Sequence, residues 1–149
     1  MDRADKAKNL FKNGYNCAQA VMCAFCDLTG MDEKTAYTLA SSFGGGLGRL
    51  REVCGAVSGM AMVAGLLYGY TKEDEPSKKA EHYALIQTLA NKFKEQTGGV
   101  VCRELLNSKD TTPTPEKRTP QYYQKRPCAE LVYLAAKIMQ EYIDEHEID

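Results

Sequence analysis

The chain has no tryptophan, only two histidines and no surplus of either charge, with 19 basic residues set against 20 acidic ones for a net charge of −1. Each absence excludes something. A nucleic-acid binder concentrates Lys and Arg on one face, so no nucleic-acid partner is expected. A disordered acidic chain is poor in apolar residues, which a content of 44% hydrophobic against 26% charged contradicts. The N-terminus, Met1-Asp2-Arg3-Ala4-Asp5-Lys6, lacks the basic, apolar, small-residue order of an export signal, so a cytoplasmic chain is expected. No Ser–His–Asp or Cys–His grouping supports hydrolytic catalysis. His82 shares a face with Leu85, Ile86, Leu89 and Phe93 and reads as a core-edge residue. His146, within Glu145-His146-Glu147, reads as solvated.

Strand patterning is also missing. Apolar residues recur at three and four rather than at two, which predicts an all-α fold. A length of 149 residues suits a single domain with its own core. A short charged helix over 2–12 is stopped by Asn13-Gly14. Asn16 caps a second, which runs past Ala18, Val21, Met22, Phe25 and Leu28 to Gly30. A third starts near Asp32 and runs into Phe43-Gly44-Gly45-Gly46-Leu47-Gly48. Residues 53–70 are the least polar stretch. Their Gly55 and Gly59 form a GxxxG, but the segment is rich in Gly and Ala, poor in Leu and Ile, and contains Ser58, so no membrane span is expected. It reads instead as a buried central helix, apolar all round. A long helix follows from 74–77 to about Gln96, closed by Gly98-Gly99, and a helical turn covers 102–106. Prolines 113, 115 and 120 mark 107–127 as an extended surface connection, in which Tyr122-Tyr123 reads as packing and surface contact. Pro127 opens the last helix. The expectation is a compact bundle of about six helices around the Gly/Ala-rich central one.

What the chain does have is thiols, six in all. Six cysteines in a reducing compartment point to metal or redox chemistry before structural disulfides, though a buried cysteine is also a small hydrophobe. Cys17 follows the Asn16 cap, Cys54 follows the glycine loop, Cys102 follows Gly98-Gly99, and Cys128 follows Pro127. Each is predicted at a helix start, where unpaired amides and the positive end of the dipole favour a thiolate. Cys23 and Cys26 make a C-x-x-C inside the second helix. On its wheel Cys23 points away from the apolar face and Cys26 lies at the boundary. That motif is catalytic only where a strand precedes it and a helix starts at it, so packing is the favoured role.

The four helix-start thiols are 37, 48 and 26 residues apart, unlike the close pairs of zinc ribbons or ferredoxins. Any shared site must be assembled by the fold. The glycine loop lacks the Gly-Lys-Ser/Thr ending of a phosphate loop and follows a helix instead of a strand. Its Gly45 and Gly46, with Gly55, let backbone pass close to Cys54, and exposed amides with Arg49 and Arg51 would offset thiolate charge or hold an anion.

The segments Asn16-Cys17-Ala18-Gln19-Ala20-Val21, Phe43-Gly44-Gly45-Gly46, Cys54-Gly55-Ala56-Val57-Ser58-Gly59, Cys102-Arg103-Glu104-Leu105-Leu106 and Cys128-Ala129-Glu130-Leu131 resemble, in order and over nearly the whole chain, the C_GCAxxG_C_C family of redox-active proteins. The resemblance implies a prokaryotic helical protein whose hallmark cysteines map onto Cys17, Cys54, Cys102 and Cys128. It supplies no substrate. Three site chemistries follow for those residues. They are an electron carrier with an iron–sulfur cluster, thiol–disulfide exchange with a redox partner, and structural zinc. Four positioned thiols exceed the two that a disulfide cycle needs, which favours the cluster. The alternative is a non-catalytic interaction module with packing cysteines and no cofactor, in which 107–127 touches a partner or a second copy in a homo-oligomer.

Overall fold

The computed structural model describes residues 1–148, which form nine α-helices and one 3₁₀ turn. Local signals set most boundaries. Helix α1 (Arg3–Lys12) begins where the Asp2 carboxylate accepts from the Asp5 amide at 2.8 Å, and it turns Ala4, Ala7 and Phe11 inward. Helix α2 (Cys17–Ala24) begins with a reciprocal cap. Asn16 Oδ1 accepts from the Gln19 amide and Gln19 Oε1 accepts from the Asn16 amide, both at 2.9 Å. The expected continuation to Gly30 is interrupted at Phe25, whose φ of −110° ends α2 and starts α3 (Cys26–Thr29). Helix α4 (Glu33–Ala40), capped by Asp32, passes through a 3₁₀ turn at Ser41–Phe43 into the glycine loop.

Helices α5 (Gly55–Tyr68), α6 (Pro76–Thr97), α7 (Cys102–Leu106), α8 (Pro120–Lys125) and α9 (Cys128–Glu145) complete the chain. Two expectations change here. The 107–127 connection is not wholly extended, because Thr119 Oγ1 accepts from the Tyr122 amide and Pro120 sits in the first turn of α8. The centre of the bundle is α2, not α5. Ala18, Ala20, Val21, Met22, Cys23 and Ala24 are all buried, and α1, α4, α5 and α9 surround them. Helix α5 buries one face, while Ser58, Ala61, Met62 and Gly65 are half-covered and Leu66 is 45% exposed. The far side of α2, which the wheel left to solvent, is closed by α4, so Cys23 is buried as well.

The GxxxG of α5 seats that helix on α2. A Cβ added to Gly59 would stand 2.8 Å from the Ala18 carbonyl oxygen and 3.0 Å from Val21 Cβ. Here the motif brings two helices of a globular core together, and no helix among the described residues is long and apolar enough to cross a membrane. Helix α6 is peripheral, with only Leu89 and Phe93 fully buried. His82 lies at its half-buried edge beside Tyr70, as expected. His146 is exposed, yet its ring stacks on Tyr142 at 3.8 Å.

Candidate functional site

Each of the four singled-out thiols sits at a helix start. Cys17, Cys102 and Cys128 are the first residues of α2, α7 and α9, and Cys54 is the residue before α5. Helix α7 has only five residues, so its dipole contributes little at Cys102. A single antiparallel bridge, Val53 to Val101, joins two of these starts. The Cys54 amide donates to Val100 O at 2.8 Å and the Cys102 amide to Glu52 O at 2.6 Å. Alternation along the paired segments turns Cys54 and Cys102 to the face opposite the two valines. Both thiols are buried, whereas Val53 is 45% exposed.

The four thiols interact electrostatically as one group. Cys17 and Cys128 act most strongly on one another. Hydrogen bonding between the two thiols lowers Cys128 and raises Cys17. Burial works against the Cys128 thiolate, while the cations of Arg126, Arg118 and Arg51 favour it. For Cys17, burial and the charges of the other three thiols add to the rise. Cys54 is pushed up to about 11 by burial, against the pull of the Ala56 and Val57 amides. Helix-start amides therefore do not by themselves make a thiolate here, because desolvation outweighs them.

Arg51 is the buried cation of the site, at 3% exposure. Its Nη1 lies 3.7 Å from Cys102 Sγ and its Nε donates to Asp110 O at 2.9 Å, while Nη2 is buried without a hydrogen-bond partner. The glycine loop delivers it. Gly45, Gly46 and Gly48 have positive φ, and so do Leu47, Arg49 and Arg51 between and after them. Three non-glycine residues in this region within five positions amount to concentrated backbone strain. The loop's own hydrogen bonds hold it, with the Arg51 and Glu52 amides donating to Gly45 O and Gly46 O at 3.1 and 2.9 Å.

The two arginines of the loop part company. Arg49 Nη1 donates to the carbonyls of Thr112 and Thr114 and its guanidinium lies 3.7 Å from Asp110 Oδ2, so it fastens the 110–114 segment. Gly45 packs against Arg49, where a Cβ would be 2.7 Å from Arg49 Cγ. Gly46 and Gly55 are the glycines that meet thiols. A Cβ on Gly46 would stand 2.7 Å from Cys102 Cβ, and one on Gly55 would stand 3.1 Å from Cys17 Cβ.

Tyr122, Arg118 and Arg126 are the residues that sequence reasoning missed. The Tyr122 ring is flanked by Arg118 at 5.8 Å and Arg126 at 5.4 Å. Burial and then the charge of Cys128 push its hydroxyl up. Arg118 also covers the Phe11 ring at 4.3 Å and donates to Tyr15 O at 2.9 Å, tying α8 to the α1–α2 turn. The available signal was Arg126 standing two residues before Cys128.

Cys23 and Cys26 behave differently. Their thiols hydrogen-bond to one another, but burial pushes Cys23 up to about 12 and raises Cys26 too. They remain protonated and packed. As for metals, among the described residues no three His, Cys, Asp or Glu side chains are grouped to hold an ion. Two of the four thiols turn to each other, and a third faces a guanidinium.

No curated protein and no solved structure matches the chain. A family model does, over residues 15–142, a span that holds all four helix-start cysteines, the glycine loop and the Tyr122–Arg126 rim. Its description is "Putative redox-active protein (C_GCAxxG_C_C)", and the chain belongs to that family.

Proposed function

We propose that the protein is a thiol–disulfide oxidoreductase in which Cys128 and Cys17 form the working dithiol. The observation that carries this reading is positional: Cys17 and Cys128 open two packed core helices, α2 and α9, each thiol acts on the other more strongly than any other group does, and the cations of Arg126, Arg118 and Arg51 favour the Cys128 thiolate. Cys128 Sγ attacks one sulfur of a partner disulfide, and the other half leaves as a thiolate that takes a proton from solvent. Cys17 then attacks Cys128 Sγ, and the first half departs with the Cys17 proton. The pair loses two electrons and the partner gains two. Arg126, Arg118 and Arg51 stabilise the thiolate before attack and when the pair is reduced again. Cys54 and Cys102 act on the pair through their charges.

The reduced protein should be alkylated by iodoacetamide first at Cys128, with an inflection below the ordinary thiol value near 9. Oxidised protein, digested and mapped by mass spectrometry, should hold a Cys17–Cys128 link. Cys128→Ser should abolish both signals and Cys23→Ser neither. Alkylation at Cys23 or Cys26 first, or a link elsewhere, refutes the assignment. A second reading, an iron–sulfur cluster on Cys17, Cys54, Cys102 and Cys128, has one observation in its favour. A net-negative cluster would give the unpartnered Arg51 Nη2 an acceptor. Visible charge-transfer absorption in anaerobically purified protein distinguishes it.

A further inference from the structure

A surface cleft lies beside the start of α9, and two of its lining residues, Tyr122 and Arg126, stand within six residues of Cys128 in the chain. Tyr122 and Arg126, which act electrostatically on or respond to Cys128, also line a cavity of about 370 Å³ between the end of α7, the 116–119 segment and α8. That volume is at the small end for ligand sites. The charges around it are one-sided. Lys117, Lys125 and Arg126 contribute three cations against a single anion, Glu116, which is paired with Arg126. Neither lysine has an acidic partner among the described residues. Ser108 and Thr119 add hydroxyls. The whole chain carries −1, so with a net +2 at the cleft the remaining residues carry −3 and the excess is local.

We infer that this cleft selects the substrate of the dithiol, a small disulfide whose halves carry carboxylates. The inference rests on the exchange reading above and adds the substrate class to it. One half of the disulfide occupies the cleft with its carboxylates towards Lys117 and Lys125. Its sulfur is directed towards Tyr122 and Arg126, the lining residues that also interact with Cys128, and the bond changes are those already written. The other half is released as a thiol. Exposed lysines act here through field and encounter rate more than through tight pairing, so the preference is screened by salt.

The test compares three probes: glutathione disulfide (anionic), hydroxyethyl disulfide (neutral) and cystamine (cationic). Rates of oxidation of the reduced protein are measured at low and high salt. Glutathione disulfide should react fastest and cystamine slowest, with the spread shrinking as salt rises. In a Lys117→Glu, Lys125→Glu double variant the ratio of anionic to neutral rate should fall about tenfold. Both positions are exposed, and the ratio is taken within each protein, so partial loss of folded material cancels. Should the wild type react with all three at one rate, independent of salt, the cleft is not the selector and the exchange reading stands. Should the wild type fail to react even with the neutral disulfide, the exchange reading itself falls.

Discussion

Gly46→Ala and Gly48→Ala test whether the glycine loop owes its composition to backbone conformation alone or to the approach of Cys102. Both glycines have positive φ, +72° and +55°, so alanine at either costs about 1–2 kcal/mol for the left-handed conformation. Alanine also narrows the unfolded ensemble, by an amount common to both. The surroundings differ. At Gly48 no atom lies within 4 Å of an added Cβ. At Gly46 that Cβ would sit 2.7 Å from both Cys102 Cβ and the Glu52 amide nitrogen, and 3.0 Å from the Arg51 carbonyl carbon. Two of those neighbours are backbone atoms that no rotamer change can move. Overpacking of this kind costs about 1–3 kcal/mol more. The expected losses are therefore about 2–5 kcal/mol at Gly46 and about 1–2 kcal/mol at Gly48. Urea unfolding of the reduced proteins, with a shared slope, reads the difference as a shift in midpoint. Equal shifts would refute the close-approach argument and leave only the φ requirement.

Two further outcomes follow from the charges of the site. Cys54 ionises at about 11 in the fold, above the ordinary thiol value near 9, so its contribution is complete below pH 9 and is lost as pH rises towards 11. The loss from this thiol amounts to about 3 kcal/mol, and Cys54→Ala should flatten the alkaline limb of a stability–pH curve; an unchanged limb contradicts the assignment. Arg51→Met removes a buried charge with an unpartnered N–H, so urea stability should hold or rise by about 1–3 kcal/mol while iodoacetamide reacts more slowly with Cys128 near neutral pH. A loss of stability instead would mean that Arg51 serves the fold.

The helix-start thiols were legible because their signals are local. The Asn16 cap with Gln19 three residues on, and Gly98-Gly99 before Cys102, announce boundaries within a few residues. Convergence of those starts was not legible, since it depends on pairing across 48 residues through the Val53–Val101 bridge. The break at Phe25 carries no glycine or proline to mark it. Helix α8 was hidden by a reading of three prolines as extended chain, although Thr119-Pro120 is itself a start signal. The centre of the bundle was misplaced because a wheel drawn for one helix cannot know how many neighbours surround it. Cys23, placed off the apolar face of that wheel, is buried because α4 covers it.

The Val53–Val101 bridge closes a long excursion of chain containing α5 and α6, and α6 is the least buried of the long helices. Two backbone hydrogen bonds flank the closure, with Cys54 donating one and Cys102 the other. The thiol site therefore has a seam. Cys17, Cys128 and Cys54 are anchored at the starts of α2, α9 and α5 in the core, whereas Cys102, on the short α7, is held in register with Cys54 by the bridge. Loosening the bridge would shift Cys102 relative to the other three. The position of one thiol is thus tied to how firmly the peripheral α6 and the segment after it are held, a stability that the chemistry of the site can feel.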